Sequence, residues 1–122
     1  MSKRVLLVDD SPDVLRSMSL LLELEGCHVT TAVDGQEARR VVREAADGFA
    51  FAIVDLVLPD AQGDALAAEL RAKLPGLPVV LTSGYSEDEE RLRALPERTT
   101  FLRKPFLFEQ LRAAAVRVAG AW

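Results

Sequence analysis

The side chains best placed to do chemistry in this chain follow its short apolar runs. Asp9 and Asp10 come directly after VLLV, Asp55 after FAFAIV, Thr82 closes PVVLT, and Lys104-Pro105 stands just beyond TFL. Two adjacent carboxylates repel each other, whereas a turn or helix start needs only one acid. Asp55 interrupts the most hydrophobic stretch, where a lone carboxylate is costly unless it is bonded or bound to a cation. Three carboxylates meeting in one crevice cannot all stay ionised without a counter-cation. A few hard oxygen donors suit Mg²⁺, which keeps several waters and accepts one or two carboxylates plus a phosphate. A hydroxyl at Thr82 and an ammonium at Lys104 would then serve the remaining oxygens of a phosphoryl group. Singly, each residue has an ordinary role as a cap, a turn residue or a solvated lysine. The joint pattern is what carries the chemistry.

For these residues to meet, the elements between them must bring the ends of the runs together. The runs VLLV (5–8), HVTTAV (28–33), FAFAIV (49–54), PVVLT (78–82) and TFL (100–102) are short and do not alternate, as expected of strands covered on both faces. Between them lie segments with helical spacing. Leu66, Leu70 and Leu74 form one stripe, and Leu107, Leu111, Ala114 and Val118 another. Ser11-Pro12 suits a helix start, and Gly26 and Gly48 sit where helices should stop. Alternating strands and helices imply an α/β fold: a flavodoxin-like, doubly wound, five-stranded parallel sheet in the order 2-1-3-4-5 with five helices. In such sheets the site lies beyond the carboxyl ends of the strands, at the switch point between strands 1 and 3. Asp34, at the end of edge strand 2, falls outside that crevice and reads as a turn or N-cap residue. Cys27 and His28, at the start of the same strand, read as structural. Trp122 either packs on the last helix or trails into solvent.

Bulk properties narrow the class. A chain of 122 residues and net charge -4 is expected to form one domain over 1–122, with no general affinity for nucleic acid or an anionic membrane. No apolar run approaches a membrane span, and no signal-peptide core follows Lys3-Arg4. One cysteine allows no internal disulfide and favours a reducing, cytoplasmic setting.

The strings VLLVDD, AIVDLVLPD, VVLTSG and FLRKPF, in that order, resemble the signature of the receiver domain of two-component response regulators, the CheY-like form of this fold. The likeness runs from about Val5 to the last helix. It implies that Asp55 is the phosphoacceptor and Asp10 the direct Mg²⁺ ligand, with Asp9 assisting through water and the Val57 carbonyl completing the set. Mn²⁺ would be able to substitute. Thr82 resembles the switch hydroxyl, Phe101 the switch aromatic and Lys104 the phosphate-binding lysine. The resemblance further implies a cis Lys104–Pro105 bond, where only about 5% of such bonds are cis in general; helix position N1 is the plain alternative for Pro105. The implied partners are a sensor histidine kinase or histidine phosphotransfer protein, and a downstream target on the face formed by the fourth helix, strand 5 and the fifth helix. Such a protein is a regulatory phosphoacceptor rather than a turnover enzyme.

Departures from the family pattern are local. Val57 and Gly84, which flank the site, offer no side chain to orient an attacking water. ALPERTT, with Pro96 ending a helix, replaces the Gly-Ala pair of many receivers, and SEDEE opens the fourth helix ahead of Arg91 and Arg93. LTSGY and FLRKPF also look like receivers attached to hybrid sensor kinases. No output domain lies within these residues, so a stand-alone receiver or a piece of a larger protein is expected. Three other readings compete. A haloacid-dehalogenase-like phosphatase needs an acid two residues after its nucleophile, where this chain has Val57. A flavodoxin-like cofactor binder needs amide and hydroxyl donors where this chain has DDSPD. A phosphorylation-independent interaction module usually lacks one of these acids or the lysine, and none is missing here.

Overall fold

Each apolar run becomes a strand because its β-branched and aliphatic residues pack well on a pleated surface buried from both sides. In the computed structural model, which describes residues 3–45, 47–84 and 95–122, the order is β1 (Lys3–Val8), α1 (Pro12–Leu24), β2 (Cys27–Ala32), α2 (Gly35–Glu44), β3 (Phe51–Asp55), α3 (Gly63–Lys73), β4 (Val79–Ser83), β5 (Thr99–Arg103) and α4 (Phe108–Ala119). All pairings are parallel and the sheet order is β2-β1-β3-β4-β5, as the strand pattern predicts. Four helices lie among the described residues. The expected fourth helix of five, with its SEDEE run, Arg91 and Arg93, falls within 85–94, outside the described residues. The expected fifth helix is α4. No helix among the described residues is long and apolar enough to cross a membrane.

The period of 2 along each strand divides the core. Leu6, Val8, Ala52 and Val54 face α2 and α3, while Val5, Leu7, Phe51 and Ile53 face α1 and α4. A continuous apolar run thus serves two cores at once. Trp122 belongs to the second core: its ring lies 5.8 Å from Phe51 and 5.9 Å edge-on from Phe108, with the Lys3 ammonium 5.5 Å from its centroid. Cys27 is buried in the same core and His28 is exposed, so neither joins the crevice.

Helix ends follow local chemistry, with two corrections. The Ser11 side chain accepts from the Val14 amide ahead of Pro12, and the Asp34 side chain caps the Glu37 amide of α2. Gly26 and Gly48 adopt φ of 89° and 69° after α1 and α2, a left-handed conformation that favours glycine. Leu107 does not join the α4 stripe: it is the exposed N-cap residue, and Ala115 takes its place beside Leu111, Ala114 and Val118. Its backbone amide donates to the Gln110 side chain at 2.7 Å, so the sequence Gln three residues on starts this helix rather than the leucine. Pro105 precedes α4 by three positions and is not its N1 residue; the Lys104–Pro105 bond is cis.

Gly63 opens α3 where it must lie against the end of β3. Its amide donates to the Leu56 carbonyl at 2.6 Å, and a Cβ there would sit 2.2 Å from the Asp55 carbonyl oxygen and 2.7 Å from the Leu56 Cα. Backbone atoms cannot swing aside as a side-chain tip can. Gly63→Ala is therefore expected to lower stability by about 2 kcal/mol or more, despite the roughly 1 kcal/mol helix preference for alanine over glycine. Urea unfolding checks this; a raised midpoint would refute the close approach.

Candidate functional site

Four strand ends converge. The parallel register sets Val8 beside Val54 and Asp55 beside Thr82, so the residues that follow β1 and β3 emerge together next to the end of β4. β5 runs alongside β4, and the Lys104 amide donates to the Ser83 carbonyl at 2.8 Å, which carries the lysine toward the same crevice. Carboxylate oxygens of Asp9, Asp10 and Asp55 lie within 4.8 Å of one another. The Lys104 ammonium sits between two of them, 2.8 Å from Asp9 Oδ2 and 3.1 Å from Asp55 Oδ2. Asp10, Asp55, Val57, Gly84 and Lys104 line an open pocket. The sequence-predicted residues Asp9, Asp10, Asp55, Val57, Thr82 and Lys104 are thus all at or beside one crevice. Phe101 is one position removed: it pairs with Leu81 and packs, half-buried, against the core under α2 and α3.

The adjacent acids are built differently. Asp9 is buried, and its Oδ1 accepts from the Ser11 amide at 2.9 Å while its Oδ2 holds Lys104. Asp10 is exposed and its carboxylate has no hydrogen-bond or ion-pair partner among the described residues. Because Ser11 supplies the cap of α1, neither acid is spent on capping that helix. Asp55 is nearly enclosed; its Oδ1 accepts from the Val57 amide at 3.2 Å and its Oδ2 from Lys104. Thr82 is buried at the floor, and its carbonyl accepts from the Leu56 amide at 2.8 Å.

Burial pushes the Asp55 carboxyl up from its ordinary value, and the nearby charge and hydrogen bond of Lys104 reverse this only in part. For Lys104 the balance goes the other way. Burial alone would pull the ammonium down, but the hydrogen bond to Asp9 and the charges of Asp55 and Asp9 outweigh it and hold the lysine up. Three carboxylates against one ammonium leave two uncompensated negative charges among the described residues, which one divalent cation would balance. The donors are hard oxygens, one of them on the open side of the pocket at Asp10. That set fits Mg²⁺.

Two residues that matter to this geometry give no signal in the linear pattern. Gly63 follows no turn rule and is required only by the close approach of α3 to Asp55. Asp60 is exposed, yet its two carboxylate oxygens accept from the backbone amides of Gly35 and Gln36, at 2.7 and 3.0 Å. The Gly35 amide, followed by that of Gln36, draws its carboxyl below the ordinary value. A glycine at a helix start is the one clue to the first; nothing local points to the second.

Comparison with known proteins gives a consistent result. The family model of the response regulator receiver domain matches residues 5–116. The transcriptional regulatory protein PrrA of Mycobacterium tuberculosis is 40% identical over 114 residues, covering 92% of this chain and 48% of PrrA. The chain spans about half the length of the curated relatives it matches. Among solved structures, the response regulator TrrA of Thermotoga maritima, in complex with Mg²⁺-BeF, aligns with a TM-score of 0.81 at 27% identity, covering 95% of this chain and 98% of TrrA. The receiver domain of the hybrid histidine kinase CckA aligns with a TM-score of 0.80 at 29% identity over 95% of this chain and 98% of its own.

The raised Asp55 value has a consequence for stability. A folded state that holds a proton more tightly than the unfolded chain gains from it fully below the unfolded value, about 3.9. It loses that gain as pH rises through the folded value. Asp55→Asn removes the titration, so without divalent metal the variant is expected to be more stable than wild type at pH 7, with the advantage fading below about pH 4. Mg²⁺ at a hundred times its Kd should stabilise wild type by about 2.7 kcal/mol and the variant much less. Urea midpoints with chelator and with Mg²⁺ provide the check; a variant less stable than wild type at pH 7 in chelator would contradict it.

Proposed function

The chain belongs to the response regulator receiver domain family of two-component signalling, and on that premise we propose that Asp55 is its phosphoacceptor, over a single domain spanning 1–122. One observation carries the reading: Asp9, Asp10 and Asp55 converge on one pocket with Lys104 bridging Asp9 and Asp55. A carboxylate oxygen of Asp55 attacks the phosphorus of a phosphohistidine; the P–N bond breaks, the imidazole leaves with its electron pair and takes a proton, and an aspartyl phosphate forms. Receiver domains bind Mg²⁺ through this acidic pocket, and when bound the ion neutralises charge on the transferring group. Here Asp10 would hold it directly, Asp9 through water, with Asp55 and the Val57 carbonyl; Mn²⁺ would substitute.

The new phosphoryl group brings roughly -1.5 to -2 charges into a site already rich in acids. Lys104, now shared by Asp9 and Asp55, is a cation within reach of its oxygens. Thr82, the strand neighbour of Asp55, supplies a hydroxyl from the floor. Movement of Thr82 toward the phosphoryl group frees space that Phe101 enters, which couples the site to the face of β5 and α4. The rest of that face, the expected helix at 85–94, lies outside the described residues. The donor is a sensor histidine kinase or a histidine phosphotransfer protein in the cytoplasm, and the target docks on that face. The transcriptional regulators among the relatives and the hybrid kinase CckA mark the two contexts in which such a domain would work.

Incubation with Mg²⁺ and a small-molecule phosphodonor, followed by intact-mass measurement, tests the acceptor. A single phosphoryl adduct is expected on the native chain, lost in Asp55→Asn and in chelator; an unmodified native chain refutes the reading. The lifetime of the adduct depends on Val57 and Gly84, which line the pocket without a polar side chain. Val57→Asn, able to orient an attacking water, is expected to speed its decay several-fold. An unchanged decay rate would show that position 57 does not limit hydrolysis.

A further inference from the structure

We propose that Asp60 is a positioning residue for this site: its carboxylate straps the loop between β3 and α3 onto the first turn of α2, and so holds Val57 where the acidic pocket needs it. The inference rests on the phosphoacceptor reading and goes beyond it, since the amides that the Asp60 carboxylate binds among the described residues belong to Gly35 and Gln36, neither of which lines the pocket.

The loop has its own internal order, is held to β4 where the Leu56 amide donates to the Thr82 carbonyl, and has a side-chain tether further on. Within it, the Leu58 amide donates to the Ala61 carbonyl at 3.1 Å, and Val57 forms a bridge with Gln62. Its far end is fixed by Gly63 against Leu56. That side-chain tether is Asp60, whose two oxygens reach two successive amides of a helix more than twenty positions earlier in the chain. Hydrogen bonds to a charged acceptor are about twice as strong as neutral ones, and a helix N-terminus adds its dipole. Gly35 eases the approach: a Cβ there would stand 3.1 Å from both Asp60 Oδ1 and the Ala61 Cβ, closer than ordinary contact.

The helix does not need this strap to begin. Asp34, its own N-cap, already takes the Glu37 amide at 2.8 Å. What a second carboxylate adds is the placement of the segment it comes from. That segment contains Val57, whose amide donates to Asp55 Oδ1 and whose residue lines the pocket. Release of Asp60 therefore loosens one side of the pocket while leaving the three acids and Lys104 at their strand ends. Outer supports of a metal site commonly change affinity by about 10–100-fold when removed.

The test compares Asp60→Ala with Asp34→Ala, which weakens the same helix end without touching the loop. Mg²⁺ Kd by calorimetry at a temperature where all variants are folded is expected to rise about tenfold in Asp60→Ala and to stay at the wild-type value in Asp34→Ala. In metal-free protein the Leu58 amide should exchange with solvent faster in Asp60→Ala alone. Asp60→Asn keeps one acceptor and should fall between; it carries the test if the alanine variant does not fold. Wild-type affinity and exchange in the Asp60 variants overturn the proposal. Equal weakening in both alanine variants overturns it too, because the cause would then be a loosened α2. If wild type itself binds no Mg²⁺, the metal reading fails, and Leu58 exchange still decides whether Asp60 holds the loop.

Discussion

One ammonium holds three strand ends in a workable relation. Without Lys104, Asp9 and Asp55 would face each other across a poorly solvated gap with nothing between them, and loss of a cation that leaves buried charge uncompensated typically costs about 3–5 kcal/mol. Lys104 compensates only part of the charge that surrounds it. The site is a crevice in which the described residues supply one positive charge and leave the rest to whatever binds. A fully neutralised pocket would have no reason to take up a divalent cation or to respond when a phosphoryl group arrives.

The sheet exists in a form that makes this shortage possible. Parallel strands deliver their carboxyl ends on one side, so residues separated by much of the chain meet there without any long loop. The register then assigns floor and wall: Thr82 lies next to Asp55 on β4, and the Lys104 backbone is bonded to Ser83. Burial of both faces is what raises the Asp55 carboxyl, because the same aliphatic residues that stabilise β3 exclude water from its tip. Core and site are thus two effects of one arrangement. The apolar run gives the strand its place and gives its last residue an unusual environment.

Most of this was legible because it is periodic or charged. Runs of three to six largely apolar residues separated by helical stripes lead to a five-stranded parallel sheet, and acids placed after such runs lead to its crevice. What escaped the sequence depends on distances between residues far apart in the chain. Leu107 has the right spacing for the α4 stripe, yet the Gln110 side chain bonds its amide and puts it outside the helix. Gly63 looks like any glycine until the Asp55 carbonyl is seen to occupy the place of its Cβ. Asp60 looks like a surface acid in a turn, and only the folded chain brings it to α2.

These quiet residues share a physical role with the conspicuous ones. A metal or phosphoryl site with few ligands gains affinity when its ligands do not have to be ordered on binding. Asp9 is fixed by Ser11, Asp55 by Val57 and Lys104, and the loop after Asp55 by Gly63 at one end and Asp60 near its middle. Asp10 is the exception, exposed and without a partner among the described residues. It is also the acid best placed to meet an incoming cation first, since a ligand already bonded to the protein would have to give up that bond. Rigid support on three sides and one free carboxylate at the mouth are what a site needs if it is to bind, react and release rather than hold its charge permanently.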